Sequence, residues 1–290
     1  MMSALTPPPS PLPGGDVFGD KFPVMDNGKA WVELLDMLPN PSFRSPDQCV
    51  VAAARVSYAS ESKGGDADKK LLFYLFKNQH TSPFEQVKFQ FRIRAPLVTY
   101  WQWSRHRTWS FVSMNLQSGR YTPFEENDFY VPERDAWRMQ SKDNKQGSNA
   151  ATLNVAEQSE IVKDLLARMG DNNKGSDLHP YRHLENNDLS ELLSWYCATG
   201  YTFYESALAS GVAKELARLF IPAFGVYYTS VVSVDAHNLM HFLRLRRDAH
   251  AQYEIRAYAD VIYENIFKVV MPQTAEAFDR FEIIVKDRSE

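Results

Sequence analysis

Cysteine is almost missing from this chain of 290 residues, which has only Cys49 and Cys197. Two thiols cannot build a disulfide framework or a four-cysteine zinc site, and their scarcity fits a reducing compartment. Neither cysteine has a histidine beside it in sequence, and no Gly-x-Ser-x-Gly elbow is present, so the usual signs of a nucleophilic hydrolase are lacking. Long apolar runs are missing too. The longest uncharged stretch, Leu219 to Val234, has sixteen residues and is interrupted by Pro222 and Gly225; a bilayer span needs about 20 apolar residues. The net charge is −4, so the basic surplus of a protein that wraps nucleic acid is absent. Walker and Rossmann glycine patterns are absent as well, so a bound nucleotide has to be held by side chains and helix ends. The opening MMSALTPPPSPLPGG lacks the charged start and apolar core of a signal peptide. Residues 1–22 are therefore expected to form a disordered proline-rich tail. A cytoplasmic protein without membrane or nucleic-acid partners is expected.

What the chain does contain is a set of clear periodic segments. Val87 to Arg94 alternates strictly, with Val87, Phe89, Phe91 and Ile93 on one side and charged or amide residues on the other, which predicts a half-buried strand. Pro46–Ser60 predicts a helix of small residues, and Asp66–Asn78 a second helix with an acidic start. Pro96 suits the first turn of a helix through LVTYWQWSRHR, which would put Gln102, Arg105 and His106 on one face. Residues 133–190 are polar and predict an insertion of loops around one helix, Val155–Met169. Helices follow at Asp188–Ala209 and Ala213–Phe220, the second stopped by Pro222. GVYYTSVVSV predicts a strand, and AHNLMHFLRLR and His250–Val270 predict helices. With no repeat and no clean linker, a single α+β domain over 23–290 is the simplest architecture.

The chemistry concentrates at WQWSRHRTWSFVSMNLQSGRY, where Arg105, Arg107 and Arg120 fall within sixteen residues. Such a group is costly to hold together without an anion, and the planar guanidinium fork suits phosphate or carboxylate. A solvated basic face is the plain alternative, but it seldom carries aromatics as large as Trp101, Trp103, Trp109 and Tyr121. Arg218 stands before Pro222, and Arg246 ends a helix whose Leu239, Phe242 and Leu243 should face the core. Position alone favours a helix C-terminal arginine meeting the dipole. His237 and His241 are spaced i, i+4, with Asp248, His250 and Glu254 downstream, which admits a zinc site. The metalloprotease glutamate is missing, and plain core or surface histidines account for the pattern better, so no metal is expected.

Six motifs in order, AARVSY (53–58), HTSPFEQVKFQFRIRAP (80–96), QWSRHR (102–107), SGRY (118–121), SGVAKELAR (210–218) and LMHFLRLRRDAHAQYEIR (239–256), resemble those of the flavin-dependent thymidylate synthases. The resemblance runs from about Gly28 to Val270. It implies a mixed α/β homotetramer with active sites built from several subunits. It also implies transfer and reduction of a one-carbon unit from methylene-tetrahydrofolate to dUMP, giving dTMP, with FAD and NADPH. By the same resemblance, His80 and Ser82 lie at the flavin. Arg105, His106 and Arg107 contact FAD, the first also reaching the nucleotide. His241, and Asp235 and His237 where Asn and Arg are common, stand at further FAD positions. Gln102, Ser118, Gly119, Arg120 and Arg218 match dUMP-holding positions, with Gln117 and Tyr121 beside them. Arg246 matches the arginine that bonds the uracil and favours ionisation at N3. Arg246, Ser118 and Arg120 are thus the candidate catalytic residues. The family's usual seven residues between Arg-His-Arg and the serine are ten here, which makes Val112-Ser113-Met114 an insertion and puts Leu116 where an acidic or amide residue is usual. Such changes also suit a relative with another pyrimidine substrate or product, for instance a hydroxymethylated dUMP. A nucleic-acid-binding module using the aromatic-flanked Arg-His-Arg (105–107) and the RLRR at 244–247, and a zinc hydrolase using His237, His241 and His250, are the readings from other classes.

Overall fold

The alternating segment is the centre of the sheet. In the computed structural model, which describes residues 17–25, 28–57, 59–106, 114–142, 148–171 and 188–286, Val87, Phe89, Phe91 and Ile93 are buried to within 1% of full burial. The first elements are β1 (Lys21–Pro23), β2 (Trp31–Leu38), α1 (Pro46–Val56), α2 (Gly65–Lys77), β3 (Lys88–Pro96) and α3 (Leu97–Trp103). After these come β4 (Met114–Leu116), β5 (Arg138–Gln140), β6 (Ser148–Thr152), α4 (Val155–Asp171), α5 (Leu189–Ala209) and α6 (Lys214–Ala217). The chain closes with β7 (Tyr227–Asp235), α7 (Ala236–Arg246), α8 (Tyr253–Val261), a π-helical turn (Ile262–Phe267), α9 (Lys268–Val270) and α10 (Pro272–Lys286). The mixture of helix and antiparallel sheet is the α+β class expected. Contacts group it into two compact units, residues 1–95, 99–116 and 229–290, and residues 96–98 and 117–228.

The first unit holds a five-stranded sheet in the order β1-β2-β3-β7-β4, with β1–β2, β2–β3 and β4–β7 paired antiparallel. Phe89 packs on Phe267 of the π-helical turn, ring centroids 6.2 Å apart, so the apolar face of β3 is sealed by the C-terminal helices. Burying each such side chain contributes about 1.5–3 kcal/mol. The start of α1 is fixed by Ser45, whose side chain accepts from the Gln48 N–H, and by Pro46 in the first turn. Asp47 then reaches α10, accepting from the backbone N–H groups of Gln273 and Thr274 at 2.9 and 3.1 Å and from the Thr274 hydroxyl. Burial raises its carboxyl above the ordinary 3.8, against the pull of those hydrogen bonds. One side chain thus joins the N-termini of two helices far apart in sequence.

The second unit is built on α5. Tyr204, Cys197, Phe124, Phe129, Ile221 and Val226 form its core. Gly200 lets α5 pass so close to the 220–222 segment that a Cβ there would meet Pro222 Cδ at 2.7 Å. Buried Gln158 of α4 donates to the carbonyls of Arg134 and Leu153 at 2.6 and 3.0 Å and accepts from the Leu189 N–H at 3.3 Å. Arg134 pairs with Asp188 at 2.6 Å, and the Trp137 indole donates to Ser190 at 2.8 Å. These bonds tie the β5–β6 hairpin to α4 and α5.

Several boundaries differ from the sequence expectation. Residues 1–16 lie outside the described residues, but Val17 is buried and Lys21–Pro23 is a strand, so the stretch 17–22 belongs to the sheet unit rather than to a tail. β2, the β5–β6 hairpin and α10 were not expected as such. The helix expected over His250–Val270 starts at Tyr253 and contains the π-helical turn. No helix among the described residues is long and apolar enough to cross a membrane.

Candidate active site

Helix α7 carries one face of a cleft in the first unit. Asp235 caps it: one carboxylate oxygen accepts from the Asn238 N–H at 2.9 Å, the other from the Asn238 side-chain amide at 2.8 Å, and Lys88 Nζ lies 3.5 Å away. Its charge is therefore turned to the helix end and a lysine, both of which offset it. From its first turn to its last, α7 presents His237, His241 and Arg244 to the cleft. Opposite, α2 ends through Gln79 in the left-handed region (φ 56°), which swings His80 outward. The cleft, of about 290 Å³, is lined by His80, Thr81, Phe84, His237, His241 and Arg244, among others. Arg244 donates to His241 Nδ1 at 3.1 Å. Burial, then the charges of Arg244 and His237, lower the His241 pKa from 6.5. Imidazoles, aromatic walls and a guanidinium suit one end of a flavin nucleotide, although the volume holds only part of one. The donor set therefore fits the group.

The end of α3 differs from expectation. The helix stops at Trp103, and the bonds Arg105 N–H to Gln102 C=O (3.3 Å) and His106 N–H to Trp103 C=O (2.9 Å) tighten the chain into a last turn. Gln102, Arg105 and His106 therefore do not share one helical face. Arg105 is exposed, whereas His106 is 6% exposed and faces inward, its ring edge-on to Phe242 at 5.1 Å. There His106 meets Arg246: Arg246 Nε donates to His106 Nε2 at 2.7 Å, and Nη2 donates to the Gln102 carbonyl at 3.5 Å. Burial, followed by the charges of Arg246 and His241, lowers the His106 pKa to about 4. Arg246 is itself lowered by burial and by the like charge of Arg105. The half-buried Arg246 and the exposed Arg105 thus place two like charges near one another, an arrangement that an anion would relieve. Ser82 is exposed in the turn before the 3₁₀ turn Phe84–Gln86 and is not among the cleft-lining residues. Arg107, Val112 and Ser113 lie outside the described residues.

In the second unit, Ser118 to Thr122 form a turn, with the Ser118 carbonyl accepting from the Tyr121 and Thr122 N–H groups at 3.0 and 3.3 Å. The Ser118 hydroxyl accepts from the Arg120 N–H at 3.4 Å. A Cβ on Gly119 would lie 2.4 Å from the Phe124 ring, so the turn can rest on the core only with glycine there. Arg120 and Tyr121 are exposed, the guanidinium 5.8 Å from the Tyr121 ring centroid. Gln117 is half-buried. Arg218 is exposed just after α6, and its Nε donates to the Glu215 carbonyl at 3.2 Å. Burial raises the nearby Tyr228 hydroxyl, with the Arg218 charge opposing.

Sequence reasoning did not assign Arg244, which lines the cleft, to the site, and it missed Lys88, which balances Asp235. Arg244 follows His241 by one helical turn, a spacing that could have flagged it; the Lys88 contact joins two elements and left no sequence signal. Among the described residues, no three His, Cys, Asp or Glu side chains converge as a metal-binding group, and His250 is exposed and paired with Asp248 at 2.8 Å.

Comparison with known proteins gives the geometry a context. The family described as "Thymidylate synthase complementing protein" (Thy1) matches residues 34–273. The flavin-dependent thymidylate synthase of Treponema denticola is 36% identical over 262 residues, 90% of this chain and 83% of the relative. That of Thermus thermophilus is 37% identical over 258 residues, 89% of this chain and 78% of the relative. Among solved structures, the UMP/dUMP methylase PolB from Streptomyces cacaoi, bound with 5-Br dUMP, superposes with TM-score 0.61 at 29% identity, over 86% of this chain and 94% of that one. PolB bound with 5-Br UMP matches equally well, at 30% identity. Motif order, fold and the extent of these matches agree, and the chain belongs to the flavin-dependent thymidylate synthases.

Proposed function

We propose that this enzyme methylates dUMP to dTMP with methylene-tetrahydrofolate as one-carbon donor, FAD as bound cofactor and NADPH as reductant. The observation that carries the reading is the half-buried Arg246, bonded to His106 and facing the like charge of Arg105. A fixed, partly desolvated guanidinium stabilises negative charge developing on a pyrimidine far more than a solvated one. Activation of the ring in this way uses no cysteine nucleophile. That agrees with the two thiols found: Cys197 is buried, with its pKa pushed up to about 11. Arg105 and Gln102 accompany Arg246 on dUMP. Gln117, Ser118, Gly119, Arg120, Tyr121 and Arg218 supply donors and positive charge for its phosphate and sugar.

His80, His237, His241 and Arg244 hold part of the FAD in their cleft, with Ser82, Asp235, His106 and Arg107 as the other residues assigned to it. FAD, when bound, supplies the electrons that reduce the transferred carbon. The protein residues orient the pyrimidine, balance charge and exclude water. A homotetramer with active sites drawn from several subunits, in the cytoplasm, completes the reading.

The test is the mass of the nucleotide formed from dUMP with FAD, NADPH and methylene-tetrahydrofolate. A product heavier by one methyl group in place of a hydrogen supports the proposal. A hydroxymethylated product, or unchanged dUMP beside oxidised NADPH, overturns it. A second reading, UMP as an additional acceptor, is favoured by the likeness to a UMP/dUMP methylase. Competition between UMP and dUMP in one reaction decides it.

A further inference from the structure

His106 occupies an unusual place in the site. A guanidinium has five N–H donors and no acceptor. The 2.7 Å contact from Arg246 Nε therefore requires a lone pair on His106 Nε2 and places the imidazole proton on Nδ1. A second N–H of Arg246 is directed at the Gln102 carbonyl, 3.5 Å away. The remaining donors keep one orientation, because rotation about the last side-chain bonds would break both contacts. The imidazole is itself confined. It is 6% exposed, edge-on to Phe242 at 5.1 Å and to His241 at 6.3 Å, and its backbone N–H closes the turn onto Trp103.

We propose that His106 is a positioning residue for Arg246: its neutral imidazole takes the Nε–H and so sets the direction in which the other guanidinium donors meet the pyrimidine. The choice of a histidine has a physical reason. A carboxylate in the same place would bind the guanidinium more tightly, but it would cancel the positive charge needed to stabilise the ring. A neutral acceptor orients without neutralising. The charged groups facing His106 are Arg246 and His241 from α7, and the exposed Arg105 beside it adds like charge to Arg246. All three disfavour protonation of this ring or reinforce the positive field around it. This role is distinct from the cofactor contact that the family resemblance implies for His106, and it rests on the reading that Arg246 touches the uracil.

The experiment is a double-mutant cycle on the flavin-loaded enzyme. dUMP affinity is measured by calorimetry for wild type, Arg246→Ala, His106→Leu and the pair together, with His106→Gln as a variant that keeps an acceptor. Flavin content is read from visible absorbance. The expected result is that His106→Leu weakens dUMP binding by about tenfold while retaining flavin. His106→Gln recovers most of the loss, and His106→Leu adds nothing further once Arg246 is alanine. If Arg246→Ala leaves dUMP affinity unchanged, the uracil reading fails. If Arg246→Ala weakens binding but His106→Leu still exerts its full factor on top, the positioning role fails while the uracil reading stands. Loss of flavin from His106→Leu without rescue by glutamine likewise overturns the proposal. Nitrogen NMR of the wild type gives a readout independent of any variant: His106 should be neutral at pH 6 with its proton on Nδ1, and a charged ring or an Nε2–H sinks the idea.

Discussion

The two units hold their arginines in opposite ways. In the sheet unit Arg246 is half-buried and bonded at two nitrogens, with its direction set before any ligand arrives. In the helical unit Arg120 and Arg218 are exposed, the one near a tyrosine ring and the other donating to a carbonyl of its own turn. A fixed charge suits a step in which negative charge develops at one defined atom, since no reorganisation is needed at that moment. Exposed arginines suit capture of a phosphate, whose oxygens accept bonds from many directions. The proposed division of roles is that the fixed arginine stabilises the reacting ring and the exposed ones gather the phosphate.

Arg246→Ala tests that division most severely. Turnover should fall by about 10² to 10³, as for loss of one preorganised donor, with flavin content unchanged. Unaltered turnover would place the chemistry elsewhere. Next in size is the rigidity of the sheet unit, which depends in part on Asp68. Its carboxylate accepts from Arg55 at 2.6 Å, from the backbone N–H groups of Lys63 and Gly64 at 3.2 and 2.9 Å, and from the Ser62 hydroxyl. Burial alone would raise its pKa, but these bonds outweigh burial and hold it at about 2, against an ordinary 3.8. The stability that results is present above pH 4 and is lost as pH falls through 2. Asp68→Ala strands the buried Arg55 and should cost about 3 kcal/mol, with a flatter acid limb in denaturant titrations. An unchanged unfolding midpoint would refute this.

Gly119→Ala brings the comparison into the helical unit. The added carbon meets the Phe124 ring at 2.4 Å, so the turn must lift from the core at a cost of about 1–3 kcal/mol. The KM for dUMP should rise, and Phe124→Leu in the same chain should restore part of it. The smallest effect on the fold is expected from Arg120→Gln and Arg218→Gln. Each should raise the KM for dUMP by about tenfold, the loss of one charge-assisted bond, while thermal stability moves by less than about 0.5 kcal/mol. A large loss of stability would show that these arginines serve the fold instead.

The elements that were legible in sequence share a local cause. β3 announced itself because every second residue from Val87 to Ile93 is apolar and the buried face is that same set. The starts of α1 and α7 were legible through Pro46 and the change of period after β7. β2 was not, because its WVELLDML does not alternate and its register shifts between Leu34 and Asp36. α10 begins where Asp47, more than two hundred residues earlier, supplies its cap. For the site, the arginine-rich segment pointed to an anion, with a solvated basic face as the alternative, from composition alone. The shared face expected for Gln102, Arg105 and His106 failed because the helix tightened and ended before Arg105.

The sequence by itself determined the family, through motifs whose residues are close neighbours, and the types of group available for the chemistry. Only the tertiary structure decided what those groups do. Asp235 became a helix cap balanced by Lys88 instead of a free charge facing a phosphate. His106 became a neutral acceptor because folding brought Arg246, 140 positions away, against it. The physical reason is common to both. Burial and the charges of distant neighbours set protonation and direction, and neither exists until the chain has closed on itself.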